Sequence, residues 1–234
     1  MKLLEKINLL LINYFGVPPR SKKLPATIDL LIATILSQNT NDKNSFRAFQ
    51  NLKNNFNSWN EVRNSEISNI ENTIKIAGLG FQKASAIKNL LEELYISESN
   101  YKMKLLAELS VEDSINYLTK FKGIGVKTAS CVLLFSMDRN VCPVDTHVNR
   151  TLNRIGVVKT ISPDKTFFEI NKNLPEGIAH SLHTNLIWLG REICKPKNYN
   201  CLICTLKKIC KYEPKSFLPK NRSKDRSFML LDNV

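Results

Sequence analysis

Phe121-Lys122-Gly123-Ile124-Gly125-Val126-Lys127-Thr128-Ala129 joins two segments with helical apolar spacing, residues 110–120 and 126–136. Two glycines separated by one apolar residue, set between helices, describe a hairpin that turns one helix directly into the next. Glycine tolerates positive φ and lets other groups come close to the backbone. The reading is therefore helix, hairpin, helix.

Working outward from the hairpin, helical periodicity continues in both directions. Ile28, Leu31, Ile32, Ile35 and Leu36 form one apolar stripe, and Ala84, Ile87, Leu91 and Leu94 form another. Leu3, Ile7, Leu10, Leu11 and Tyr14 make the N-terminus an amphipathic helix; the Val17-Pro18-Pro19-Arg20 that follows does not resemble a leader cleavage site. Helix starts are marked by Ser58 with Glu61 as a capping box, by Ser110, and by Ser162 followed by Pro163. Gly78 and Gly80 mark a helix stop and a loop. No run of strict apolar–polar alternation bounded by turn residues interrupts this pattern, so the fold class is all-α.

The 234 residues suffice for one large domain or two small ones, and the 43% hydrophobic content is that of a globular chain. No stretch is long enough to span a bilayer, and a cytoplasmic protein is expected. Lys and Arg number 34 against 21 for Asp and Glu, a net charge of +13. Such an excess favours a polyanionic partner, nucleic acid first among them. Between Lys207 and Arg226 eight basic residues face two acidic ones. That segment reads either as a solvated tail or as an auxiliary phosphate-binding arm.

Four of the six cysteines fall in the pattern Cys194-x6-Cys201-x2-Cys204-x5-Cys210. In a cytosolic chain cysteines so clustered are ligands rather than disulfide partners. Four thiolates in seventeen residues can wrap one compact centre; zinc and an iron–sulfur cluster accept the same set, and ligand count does not choose between them. Lys195 and Lys197 lie between the first two cysteines, on a loop such a centre would hold rigid for phosphate contact. Val144-Asp145-Thr146-His147 follows the hairpin, with Asp145 eighteen residues beyond Lys127. An Asp ahead of a helix is an ordinary N-cap. One carboxylate oxygen can cap while the other serves a site. His147, His180 and His183 read as packed residues.

The hairpin, Asp145 and the cysteine pattern together resemble the endonuclease III branch of the helix-hairpin-helix, Gly/Pro-Asp DNA glycosylase superfamily. The likeness runs from about Leu24 to Lys211 and includes Ile35-Leu36-Ser37-Gln38-Asn39-Thr40. It implies a six-helix barrel with the helix-hairpin-helix at 25–138, and a cluster domain from 1–24 and 139–212. DNA would lie in the cleft between them, and the basic tail would be 213–234. By the same likeness the four cysteines hold a 4Fe–4S cluster, Lys127 is a nucleophilic lysine and Asp145 the catalytic aspartate. Lys122, Gly123, Gly125, Lys195 and Lys197 are expected at DNA phosphates. Leu79 matches a position that wedges into the duplex, and Asn39 stands where relatives carry a gap-filling Gln. The implied partner is double-stranded DNA carrying a damaged base or an abasic site, bound by a monomer.

The implied activity is that of a bifunctional DNA glycosylase and AP lyase acting on oxidised pyrimidines. Two departures from the family pattern stand at the hairpin, where Phe121-Lys122 replaces Leu-Pro and Val126 replaces a basic residue. The competing readings are a glycosylase of the same superfamily for alkylated or mismatched bases, and a non-catalytic DNA-binding scaffold. The scaffold would be expected to lose Lys127 or Asp145, and both are present.

Overall fold

The computed structural model describes residues 2–213, 215–217 and 234; most of the basic tail, 213–234, lies outside the described residues. Among the described residues every regular element is helical. No helix among them is long and apolar enough to cross a membrane. The chain divides into two compact units, one containing Ser21–Arg139 and the other formed by described residues up to Arg20 and from 140 to 217.

In the unit Ser21–Arg139, helix α2 (Thr27–Ser37) is central. Its buried residues are not confined to the stripe read from the sequence, because Leu30, Ala33 and Thr34 are buried as well. A helix apolar all round must be covered on all sides, and α3 (Asp42–Asn55), α6 (Gly80–Glu98) and α8 (Val126–Met137) cover it. Short helices α4 (Trp59–Asn64) and α5 (Ile67–Ile74) pack on α6, and α7 (Val111–Leu118) packs on α8. The caps act locally. Ser58 Oγ accepts from the Glu61 N–H and Ser110 Oγ from the Asp113 N–H. The expected capping box at Ser58 is only half formed: the Glu61 carboxylate accepts from the Asn57 N–H, one residue further back.

In the other unit, α1 (Leu3–Phe15) lies against α11 (Ala179–Glu192), with α9 (Thr146–Ile155) and α10 (Pro163–Asn171) beside it. Ile7 and Leu11 of α1 are fully buried. Ser181 Oγ donates to Asn8 Oδ1 at 2.9 Å, and Asn185 Nδ2 donates to Gly16 O at 3.2 Å. Helices α9 and α11 meet closely at Gly190, where an added Cβ would stand 2.8 Å from His147 Cβ. No larger residue fits there without moving α9. The His147 ring packs in this seam beside Arg150, and burial pushes its pKa down. His183 is buried, with Nδ1 2.9 Å from Pro143 O, and His180 is buried too.

Candidate functional site

The hairpin between α7 and α8 is anchored by two buried apolar side chains, Phe121 and Ile124; Phe121 also meets the Tyr117 ring edge-on. Its two glycines are used differently. Gly123 takes φ +89°, the left-handed region that favours glycine. Gly125 does not: at φ −95° it is the extended N-cap of α8, where any residue would be at ease. Nor is Gly125 required by packing, since an added Cβ would meet nothing within 4 Å. Both glycines are exposed, and no side chain caps α8. The N–H groups of its first turn, at the positive end of the helix dipole, are thus offered to an anion.

Lys127 is the second residue of α8 and half-buried; Lys122 is exposed on the hairpin. Alongside runs a cavity of about 380 Å³ lined by Gln38, Leu79, Phe81, Lys83, Lys122 and Gly123 among others. Gln38 Nε2 donates to Gly123 O at 3.0 Å, tying the end of α2 to the hairpin. Leu79 and Phe81 are exposed to 49% and 61%, large apolar side chains left in solvent beside a polar hairpin. Leu79 has φ +51° and Asn39 φ +52°, costly values for residues with side chains. Asn39 is exposed but is not among the cavity residues, whereas its neighbour Gln38 is.

Asp145 belongs to the other unit, where it caps α9. Its Oδ1 accepts from the Val148 N–H at 2.8 Å, and the carboxylate is half-buried. That single bond fixes the orientation of the group and leaves Oδ2 for other use.

The four clustered cysteines are gathered in the same unit. Cys194, Cys201, Cys204 and Cys210 are free thiols lining one apolar cavity with Arg154, Tyr199 and Tyr212. Among the described residues no three His, Cys, Asp or Glu side chains form a group that could hold a single metal ion. Burial, reinforced by the neighbouring cysteines, pushes the Cys204 thiol up to about 12, and burial also raises Cys194. Arg154 offsets this at Cys194. Its guanidinium lies over the rings of Tyr199 and Tyr212, with Nη1 3.5 Å from Cys194 Sγ. The same group donates to Lys195 O at 2.7 Å and Pro196 O at 3.0 Å, pinning the loop that carries half-buried Lys195 and exposed Lys197.

Sequence reading passed over Gln38, Phe81 and Lys83. Gln38 stood one residue from the position singled out. A buried lysine leaves no mark in a sequence at all.

The HhH-GPD superfamily of base excision DNA repair proteins has a family profile that matches residues 32–176. The chain is 39% identical over 186 residues to a candidate DNA glycosylase of Arabidopsis thaliana, covering 79% of this chain and 58% of that longer protein. It is 34% identical over 197 residues to endonuclease III of Thermotoga maritima, covering 83% and 87% of the two chains. Endonuclease III of Sulfolobus acidocaldarius is 33% identical over 185 residues, covering 78% and 80%. Among solved structures, a trapped endonuclease III–DNA covalent intermediate superposes with a TM-score of 0.72 at 25% identity, covering 90% of this chain and 97% of that one.

Proposed function

The chain belongs to the endonuclease III family of the HhH-GPD superfamily, and on that premise we propose that it excises oxidised pyrimidines using Lys127 as nucleophile and Asp145 as its carboxylate partner. It is a DNA glycosylase and AP lyase of base excision repair, and its substrate is damaged duplex DNA. The observation that carries the assignment is at the head of α8. There a half-buried lysine follows an uncapped helix start at a glycine that neither φ nor packing requires.

Chemistry on a base inside a duplex requires its extrusion. The exposed apolar tips of Leu79 and Phe81 suit the gap left behind, since apolar side chains inserted between base steps unstack them. The N–H groups around Gly125 take up a phosphate without reading sequence, with Lys122 adding charge beside them. The neutral Lys127 amine then attacks C1′ of the sugar. The C1′–N bond to the base breaks, and the base leaves with the bonding pair and gains a proton. The attached amine loses a proton, and its lone pair opens the C1′–O4′ bond to give the Schiff base while O4′ takes up a proton. Removal of a C2′ proton then expels the 3′-phosphate oxygen, cutting the strand. Asp145, held by Val148 through Oδ1, presents its remaining oxygen to the cationic character that develops at the sugar.

Cys194, Cys201, Cys204 and Cys210 fit a 4Fe–4S cluster, being four free thiols on one apolar cavity with an arginine beside them. Burial without a cation disfavours the thiolates of Cys194 and Cys204, and a bound metal centre reverses that preference. When bound, such a cluster supplies a rigid anchor to a stretch that has no helix of its own. Arg154 passes that rigidity to Lys195 and Lys197, which would meet the DNA backbone.

The decisive experiment incubates wild type and Lys127→Ala with duplexes bearing thymine glycol, uracil or an abasic site, with and without borohydride. Wild type is expected to cut the thymine glycol duplex and form a trapped covalent adduct that Lys127→Ala lacks. An adduct that persists in the variant moves the nucleophile elsewhere; base release with no cut points to a monofunctional relative.

A further inference from the structure

Lys83 stands apart from the residues assigned above. It is only 3% exposed, in the first turns of α6, yet it carries an amine. Its Nζ donates to two backbone carbonyls, Leu36 O and Ala77 O, each at 2.8 Å. Leu36 O belongs to the last turn of α2, whose carbonyls have no partner within the helix and whose dipole favours a cation. Ala77 O ends the short 3-10 turn Lys75–Ala77, immediately before Gly78-Leu79. The Lys83 N–H in addition donates to Leu79 O at 3.0 Å. Side chain and backbone of one residue thus hold residues 77–79 on one side and residue 36 on the other.

These two segments carry the groups that line the cavity. Gln38, two residues beyond Leu36, reaches Gly123 of the hairpin, and Leu79, two residues beyond Ala77, is held at positive φ. We infer that Lys83 is a positioning residue, whose amine locks the backbone carrying Leu79 to the backbone carrying Gln38, so that Leu79 enters the duplex in fixed register with the hairpin that Gln38 holds. The inference rests on the DNA-glycosylase reading above. Charge is not essential to the lock. An ammonium has three donors and a neutral amine two, so either form satisfies both carbonyls. What matters is reach and donation, and methionine has the length without the donor.

Misplacing a positioning group by about 1 Å can cost on the order of a hundredfold in rate. Here the cost should fall on extrusion and spare the chemical step. The test compares full-length wild type, Lys83→Met and Lys83→Gln in single-turnover cleavage of two duplexes. In one, thymine glycol is paired with adenine; in the other it lies in an unpaired bubble, where the extrusion cost is already met. Lys83→Met is expected to lose about tenfold or more on the paired lesion and less than about threefold in the bubble. A 2-aminopurine opposite the lesion should brighten on binding of wild type and stay quenched with the variant. Equal loss on both duplexes, or no loss on either, overturns the inference. Should Lys83→Met fail to fold, Lys83→Gln decides by the same paired-to-bubble ratio, its shorter side chain being unable to span both carbonyls. If wild type cleaves neither duplex, the glycosylase reading fails first, and this inference with it.

Discussion

At the scale of single residues, Lys83 carries a charge that its surroundings disfavour. Burial lowers its pKa from 10.5 to about 8. The unfolded chain therefore binds a proton more readily than the folded one between about pH 8 and 10.5. Stability rises with pH wherever the unfolded state holds more protons, so folding is penalised below about pH 8 and the penalty fades towards pH 10.5. The full effect is roughly 3 kcal/mol at most, reduced by the two carbonyl acceptors that favour the ammonium. Denaturant unfolding of wild type and Lys83→Met between pH 7 and 10 checks this. The wild-type stability should climb relative to the variant above about pH 8, and parallel curves would mean that the lysine titrates normally.

Asp145 and Lys127 show what residue-level reading can and cannot reach. That Asp145 heads a helix is legible from its place before Thr146-His147-Val148, and the structure bears out the cap. The half-burial of Lys127 is not legible, because exposure depends on what packs against the first turn of α8. Gln38 escaped for a similar reason. Its bond to Gly123 spans 85 positions of sequence.

At the scale of elements, the hairpin separates what the fold needs from what a ligand needs. Gly123→Ala places a side chain at φ +89° and its Cβ 3.4 Å from that of Ala86, and should cost about 1–2 kcal/mol of stability. Gly125→Ala meets open space at an ordinary φ and should change stability by less than about 0.5 kcal/mol. Its new methyl group would stand where a phosphate approaches the α8 N–H groups. Thermal unfolding, together with titration of undamaged duplex DNA, distinguishes the two. Gly125→Ala is expected to keep its melting temperature and bind DNA more weakly; unchanged binding would remove the phosphate from the head of α8. Helix α2 gives the complementary lesson. Its periodicity identified a helix with one apolar stripe, and the structure buries it all round because α3, α6 and α8 close over it.

At the scale of the whole molecule, the segment from Ile193 to Tyr212 contains no helix, yet its four cysteines line one cavity. A stretch without regular structure needs another source of order, and a bound cluster would supply it. The purified protein is expected to be yellow-brown, with about four irons per chain. Chelation should bleach it and expose residues 193–212 to proteolysis while α2–α8 stay protected. Zinc in place of iron, without visible absorption, would refute the cluster.

Local sequence patterns were enough for the helical class, the main helix starts and stops, the hairpin and the grouping of four cysteines. Each of these is written in near neighbours, where spacing within a few turns governs which side chains and backbone groups meet. The family likeness rested on the same local signals. Tertiary structure decided the rest. It set Lys83 between Leu36 and Ala77, brought Gln38 to Gly123, left Leu79 and Phe81 exposed and laid Arg154 across the cysteine loop. Most of these contacts join residues far apart in the chain. Burial and hydrogen-bond partners at such separations follow from packing of the complete helices, which no local pattern encodes.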